Sequence, residues 1–246
     1  MENSLEIHEL GKSFGRNVVF RNMSVAFARG TITGLIGANG SGKTVLLNMM
    51  TGLDHPNTGT IAIAGVDITR LAPHRIARLG VARTFQIPSL SPELTVEQHF
   101  VLASRLSFGK LIRDALYPPK NRVPTLWPVT RLSKFFLEDS LERPLGQLSF
   151  GQQKIIENIA GLSVSPDVLL MDEPTAGLSA TAKAETATLL NRWLTSNRTA
   201  VVAEHDIEFL SAVCDQIAVV SEGQISFQQF IRQHERPAVR PNTSYA

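Results

Sequence analysis

Several things are scarce in this sequence. Cys214 is its only cysteine, which excludes a small fold stapled by intrachain disulfides. No uninterrupted apolar run approaches the roughly 18 residues of a membrane-spanning helix. The opening MENSLEIHEL has neither the basic start nor the apolar stretch of a secretory signal, so none is expected. An excess of one charge is missing too: 24 basic residues against 22 acidic leave +2, too little to argue for nucleic acid as a partner. Charged residues make up 19% and hydrophobic ones 43%, a balance too apolar for a disordered chain. The expectation is a soluble, cytoplasmic protein of 246 residues with a sizeable core, built as one large domain or as one domain with an insertion.

Periodicity then sorts the chain. Leu5–Leu10 alternates apolar and polar residues, and Ser24–Ala28 does so more weakly; both read as strands of a partly exposed antiparallel layer. Thr31–Ile36 is a β-branched run that ends in glycine. Val168–Met171, Ala200–Ala203 and Ile217–Val220 are short continuous apolar runs, the pattern of strands buried on both faces of a parallel sheet. Helical patterns lie between them at Val45–Met50, Gln152–Leu162, Ala182–Trp193 and Ile207–Val213, so the fold class expected is α/β. Residues from about 87 to 147 break the alternation. Val96–Leu106 reads as a helix and Arg131–Leu137 as a second, separated by a connector containing Pro118, Pro119, Pro124 and Pro128. This stretch is expected to be a mainly helical insertion into a single domain of residues 1–232, and the polar residues 233–246 a loose tail.

Gly37-Ala38-Asn39-Gly40-Ser41-Gly42-Lys43-Thr44 fits G-x-x-x-x-G-K-[ST] between a strand and a helix. Glycines let backbone N–H groups converge on phosphate oxygens, and the helix N-terminus adds its dipole. Lys43 is suited to the terminal phosphates and the Thr44 hydroxyl to Mg²⁺. Val168-Leu-Leu-Met-Asp172-Glu173 is a buried strand ending in two carboxylates, at the edge where ligands bind in open α/β sheets. Standing alone, such a pair would serve equally as a helix cap. Beside the glycine loop, Asp172 suits a Mg²⁺ shell and Glu173 the orientation or deprotonation of an attacking water. His205 follows the next buried strand and could contact the terminal phosphate, although a lone histidine is more often structural.

Leu148-Ser149-Phe150-Gly151-Gln152-Gln153 places a good N-cap and a glycine before an amphipathic helix, a second helix N-terminus fit for an anion. Coming well after the glycine loop and about 20 residues before Asp172-Glu173-Pro174, this segment closely resembles the signature of the ATP-binding cassette (ABC) family, and the likeness spans about residues 5 to 228. The resemblance implies a P-loop NTPase fold with an antiparallel β layer, a mainly parallel core sheet and a helical insertion. It further implies that Phe14 stacks on adenine in place of the usual tyrosine, that Gln86 touches Mg²⁺ and water, that Glu173 is the catalytic glutamate and His205 the switch histidine. In this family two cassettes pair head to tail, so Ser149, Gly151 and Gln152 of one copy complete the ATP site of the other.

The sequence also departs from the family pattern. Phe150 stands at the first of the two glycines of the LSGGQ signature, Ser179 where many relatives have Asp, and the stretch after the signature, with Lys154 and Glu157–Gly161, lacks the usual arginines. The resemblance is nearest to the ATPase subunits of branched-chain amino-acid and urea uptake systems, through Arg83-Thr84-Phe85-Gln86, the Pro-rich insertion, LSFGQQ and Glu204-His205-Asp206. It implies ATP and Mg²⁺ as cofactors, an identical or paralogous second cassette, separate transmembrane permease subunits, an extracytoplasmic solute-binding protein, and a place on the inner face of the cell membrane. Lys110, Arg113, Lys120, Arg122, Arg131 and Lys134 give the insertion a basic face, read as solvated rather than lipid-binding. A cluster-assembly ATPase of similar size remains the alternative. A nucleotide kinase would share only the glycine loop, and a regulatory module without turnover would lack the base or the switch residue.

Overall fold

Alternation in the first 28 residues becomes two long antiparallel strands, β1 (Asn3–Phe14) and β2 (Asn17–Ala28), in a computed structural model that describes residues 3–88, 90–105 and 141–228. Their inward residues, among them Leu5, Ile7, Leu10, Phe20, Met23 and Phe27, are fully buried. The second strand starts seven residues earlier than its weak alternation suggests, because register shifts along β1 break the period of two. Two short strands, β4 (Thr58–Ile63) and β5 (Val66–Asp67), extend this layer in the order β2-β1-β4-β5.

The second sheet runs β10-β9-β3-β8-β7-β6. It contains β3 (Ile32–Ile36), β6 (Val81–Thr84), β7 (Val168–Asp172), β8 (Thr199–Ala203) and β9 (Gln216–Ser221) in parallel, with β10 (Gln224–Gln228) antiparallel at one edge. Successive residues of a strand point to opposite faces, and both faces here are covered. Val168, Leu170, Val201 and Ala218 pack with the antiparallel layer and with α1 (Lys43–Met50). Leu169, Met171, Ala200, Val202 and Ile217 pack under α3 (Val96–Arg105), α4 (Phe150–Ser163), α5 (Ala180–Trp193) and α6 (Ile207–Val213). Double coverage is why these strands read as unbroken apolar runs. A short helix, α2 (Pro73–Arg78), leads into β6.

The described part of the insertion is tied down at its base. Leu145 N–H donates to Leu94 O at 2.9 Å and Gly146 N–H to Pro92 O at 3.0 Å, while Val96 and Phe100 of α3 are fully buried. The helix expected at Arg131–Leu137, the proline-rich connector, the basic residues from Lys110 to Lys134 and the tail 233–246 lie outside the described residues. Among the described residues, no helix is long and apolar enough to cross a membrane.

Candidate functional site

Strands β3, β6, β7 and β8 are parallel, so their C-terminal ends lie along one edge of the sheet. The glycine loop follows β3, Gln86 follows β6, Asp172 ends β7 with Glu173 next, and His205 follows β8. Five motif positions scattered over 169 residues from Gly37 to His205 thus converge, at the place where open α/β sheets take ligands.

At the glycine loop, Gly42 adopts φ +108°, and a Cβ there would lie 2.7 Å from Val19 and 2.8 Å from Phe20. Only glycine lets α1 start this close to β2. Helix α1 has no side-chain cap and no acidic residue in its first turn, which leaves its N-terminal N–H groups and dipole for an anion. Lys43 is buried and donates to the carbonyls of Gly37 at 2.8 Å and Ala38 at 3.2 Å. Burial lowers its pKa, while the charges of Glu173 and Asp172 oppose the shift. An ammonium resting on its own loop is available to incoming phosphate oxygens, which are stronger acceptors than carbonyls.

The adjacent carboxylates have separate surroundings. Asp172 Oδ2 accepts from Arg83 at 3.1 Å, both side chains being 4% exposed, and Oδ1 is turned to the Thr44 hydroxyl at 3.5 Å. Arg83 also donates to Asn48 at 2.6 Å and to Thr51 at 3.3 Å, which bolts β7 to the end of α1. Burial lowers the Arg83 pKa, with Asp172 opposing. Glu173 leaves the strand direction with φ +46°, and its N–H donates to Ala203 O at 2.8 Å. That backbone turn presents its carboxylate to Gln86, which donates from Nε2 at 3.0 Å, and to His205, whose Nε2 lies 3.7 Å away. Strained backbone at a non-glycine residue is stored where function needs it.

His205 is held through its neighbour. Glu204, buried, accepts the His205 N–H at 2.8 Å on one oxygen and both the N–H and hydroxyl of Thr175 on the other, at 3.1 and 2.7 Å. Phe14 ends β1 half exposed, with the Lys12 ammonium 4.6 Å from its ring centroid. Lys12 is itself fixed by Asp54 at 2.6 Å, so one face of the ring is occupied by a cation.

Ser149, Gly151 and Gln152 do not join this cluster. Ser149 caps α4 and forms a reciprocal capping box with Gln152. Gly151 lies so near Gly177 O that a Cβ would sit 2.7 Å from it. Among the described residues no hydrogen bond links these three to the glycine loop. Ser179 caps α5 by accepting from Ala182 N–H at 3.3 Å.

The structure thus brings together the glycine loop, Thr44, Gln86, Asp172, Glu173 and His205. It adds Arg83, Asn48, Lys154 and Glu204, to which the sequence reading gave no role. The polar pair Lys154 and Glu157, three apart inside an isoleucine-rich helix, is the signal that would have pointed to a buried network. As an oxygen-donor set, Thr44 and Asp172 suit Mg²⁺, which keeps few protein ligands and completes its shell with phosphates and water. No group of three or more His, Cys, Asp or Glu able to hold a metal occurs among the described residues.

Comparison with known proteins agrees with this geometry. A family model described as ABC transporter matches residues 20–176. The chain is 31% identical over 220 residues to the Nod factor export ATP-binding protein I of Burkholderia lata, covering 89% of this chain and 68% of that protein. It is 30% identical over 225 residues to the high-affinity branched-chain amino acid transport ATP-binding protein LivG of Salmonella typhimurium, covering 89% and 88%. A nucleotide-free ATP-binding cassette from an ABC transporter superposes with a TM-score of 0.77 at 27% identity, over 93% of this chain and 92% of that one. A dimeric, post-hydrolysis cassette bound to ADP and Pi has a TM-score of 0.78 at 21% identity, over 92% and 98%, a likeness of fold.

Proposed function

This chain belongs to the ABC transporter family of ATP-binding cassettes and is an ATPase, and from that premise we propose that it powers uptake of a small polar solute, of the branched-chain amino-acid or urea class, through separate permease subunits. The observation that carries the reading is the cluster at one sheet edge: Glu173 within hydrogen-bonding distance of Gln86 and 3.7 Å from His205, beside the Thr44–Asp172 pair. The class of solute is supported by the relative LivG, of whose length 88% is matched.

ATP is the substrate. Its phosphates fit the glycine loop and the uncapped start of α1, with Lys43 released from the carbonyls of Gly37 and Ala38 to meet them. Thr44 and the Oδ1 of Asp172 would hold Mg²⁺, which when bound neutralises charge on the phosphoryl oxygens. Arg83 keeps the other oxygen of Asp172 occupied and so fixes which one faces Thr44. Glu173 accepts a proton from the attacking water, and Gln86 and His205 hold that water between them and the terminal phosphate. Phe14 offers its free face to the adenine ring.

Ser149, Gly151 and Gln152 stand apart from this cluster within one chain, and in our reading they serve the site of a second cassette, identical or paralogous. Residues 1–232 act as one cassette, with the insertion at 87–147 receiving the permease next to Gln86. The assembly sits on the inner face of the cell membrane and works with an extracytoplasmic solute-binding protein. The test is Glu173→Gln in the purified chain, with phosphate release and ATP-dependent association both measured. Turnover is expected to fall about 10²-fold or more, while saturating ATP drives dimer formation seen by light scattering. Turnover at the unaltered rate, or a chain that stays monomeric, would overturn the assignment.

A further inference from the structure

We propose that Lys154 is a positioning residue: it binds the backbone of the Gln86 loop and the end of the Asp172–Glu173 strand into one unit, so that the loop and the water-activating carboxylate move together. The proposal rests on the roles given to Gln86 and Glu173 above.

Lys154 is the fifth residue of α4 and is completely buried. An ammonium carries three protons and must find acceptors for them when it leaves water. Here the acceptors come from three separate segments. Lys154 Nζ donates to Phe85 O and lies 3.4 Å from Gln86 O, both in the loop after β6. It donates to Asp172 O, at the end of β7, at 3.2 Å. It pairs with Glu157 of its own helix at 3.3 Å. The Glu157 carboxylate in turn accepts the Phe85 N–H at 3.1 Å. One ion pair therefore holds both the N–H and the C=O of Phe85, while the Arg83 guanidinium lies 4.9 Å from the Phe85 ring.

The consequence lies one residue further on. Gln86 has its main chain anchored to α4, and its side chain donates to Glu173. Glu173 follows the carbonyl that Lys154 also holds. Both partners of the Gln86–Glu173 contact are thus rooted on a single nitrogen. Helix α4 begins at the Ser149 cap, five residues before Lys154, so the segment that would meet a second cassette's nucleotide is rigidly joined to the same anchor. An ion pair that served packing alone would be replaceable by apolar groups of like shape with little effect on chemistry. The arrangement seen here predicts a different result, because a misplacement of about 1 Å at a reacting group can cost 10²-fold in rate.

The experiment compares Lys154→Met, the double variant Lys154→Met with Glu157→Gln, and Glu173→Gln, all in the full chain. The double variant leaves no buried charge unpaired and keeps an oxygen at residue 157 for the Phe85 N–H. Steady-state hydrolysis of MgATP and thermal unfolding are measured for each. The expected result for the double variant is cooperative unfolding, a KM for ATP within about twofold, and kcat lowered by about tenfold or more, the signature of lost transition-state interactions. A folded double variant with unaltered kcat would overturn the proposal, as would loss of folding in both lysine variants, which would make Lys154 a core element only. If Glu173→Gln itself turned over normally, the reading of the site would fall. If Glu173→Gln is silent and the double variant is fully active, the role of Lys154 alone falls.

Discussion

Asp172 and Glu173 are consecutive residues, yet they belong to regions with different physics. Behind the strand end lies a buried polar layer in which the side chains of Asp172, Arg83, Lys154 and Glu157 have almost no exposure and form two ion pairs, Arg83–Asp172 across 89 positions and Lys154–Glu157 within one helix. In front lies a solvent-accessible set in which the Glu173 side chain is 26% and that of His205 45% exposed, joined by one hydrogen bond and one longer approach. Buried charges must be fully partnered or they destabilise the fold. Groups that are to trade protons with a substrate must instead keep spare bonding capacity. The 180° alternation of a strand, ended by the left-handed turn at Glu173, separates the two tasks within one dipeptide.

The largest expected effect is behind the strand. Arg83→Met leaves the 4%-exposed Asp172 carboxylate without its partner and should cost about 3–5 kcal/mol of stability. Adding Asp172→Asn to Arg83→Met should recover most of that loss, because the neutral side chain no longer needs a cation. Glu173→Gln, in front, should change stability by less than about 0.5 kcal/mol. Urea unfolding of the three variants and the unaltered chain checks this through the midpoint at constant slope. Equal costs at Arg83 and Glu173 would erase the distinction between the two regions.

The turn between the regions gives a smaller and opposite effect. At φ +46° a residue with a Cβ is strained, and Asn tolerates this conformation better than Glu or Gln. Glu173→Asn should therefore be more stable than Glu173→Gln by about 0.5–1 kcal/mol, in the same urea measurement, while both lack turnover. A Glu173→Asn chain no more stable than Glu173→Gln would mean that the backbone there stores no strain.

These two regions were also unequally legible in the sequence. The front of the site is made of residues that follow strands, and the glycine loop, Asp172, Glu173 and His205 could each be placed from the apolar run before them. Strands β1 and β2 were readable from their alternation, and core strands β3, β7, β8 and β9 from their short apolar or β-branched runs. Strand β6 was not, because its four residues, Val81-Ala82-Arg83-Thr84, are half polar, and the run gives no periodic signal. With β6 hidden, Arg83 had no visible partner: its contact with Asp172 spans 89 positions. Lys154 looked like a departure from the usual arginines, since its acceptors are main-chain carbonyls, which no side-chain pattern encodes. Helix α2 and strand β5 were missed because they are too short for a periodic pattern to stand out, and β4 because it opens on Thr58-Gly59-Thr60 and leaves only Ile61-Ala62-Ile63 as an apolar stretch.

The smallest effect lies at the outer margin of the front region, where Lys183 of α5 meets Asp206, the cap of α6, at 2.6 Å. The hydrogen bond from Lys183, then that from the Phe209 N–H, holds the Asp206 carboxyl below its ordinary range, and the bond to Asp206 raises the lysine. The stability that Asp206 adds is present above the unfolded carboxyl value of about 4 and is lost as pH falls through its lower folded value. The contribution of Lys183 is present below about 10.4 and is lost as pH rises through its raised folded value. Both side chains are partly open to water, so Lys183→Met should cost less than about 1 kcal/mol at neutral pH. Asp206 still caps α6 in that variant, so the difference between the two proteins isolates the ion pair. Chemical unfolding from pH 2 to pH 8 should show a difference that is flat above about pH 5 and shrinks towards zero in acid. A difference as large as that expected for Arg83→Met would place Lys183 and Asp206 with the buried layer instead of at its exposed rim.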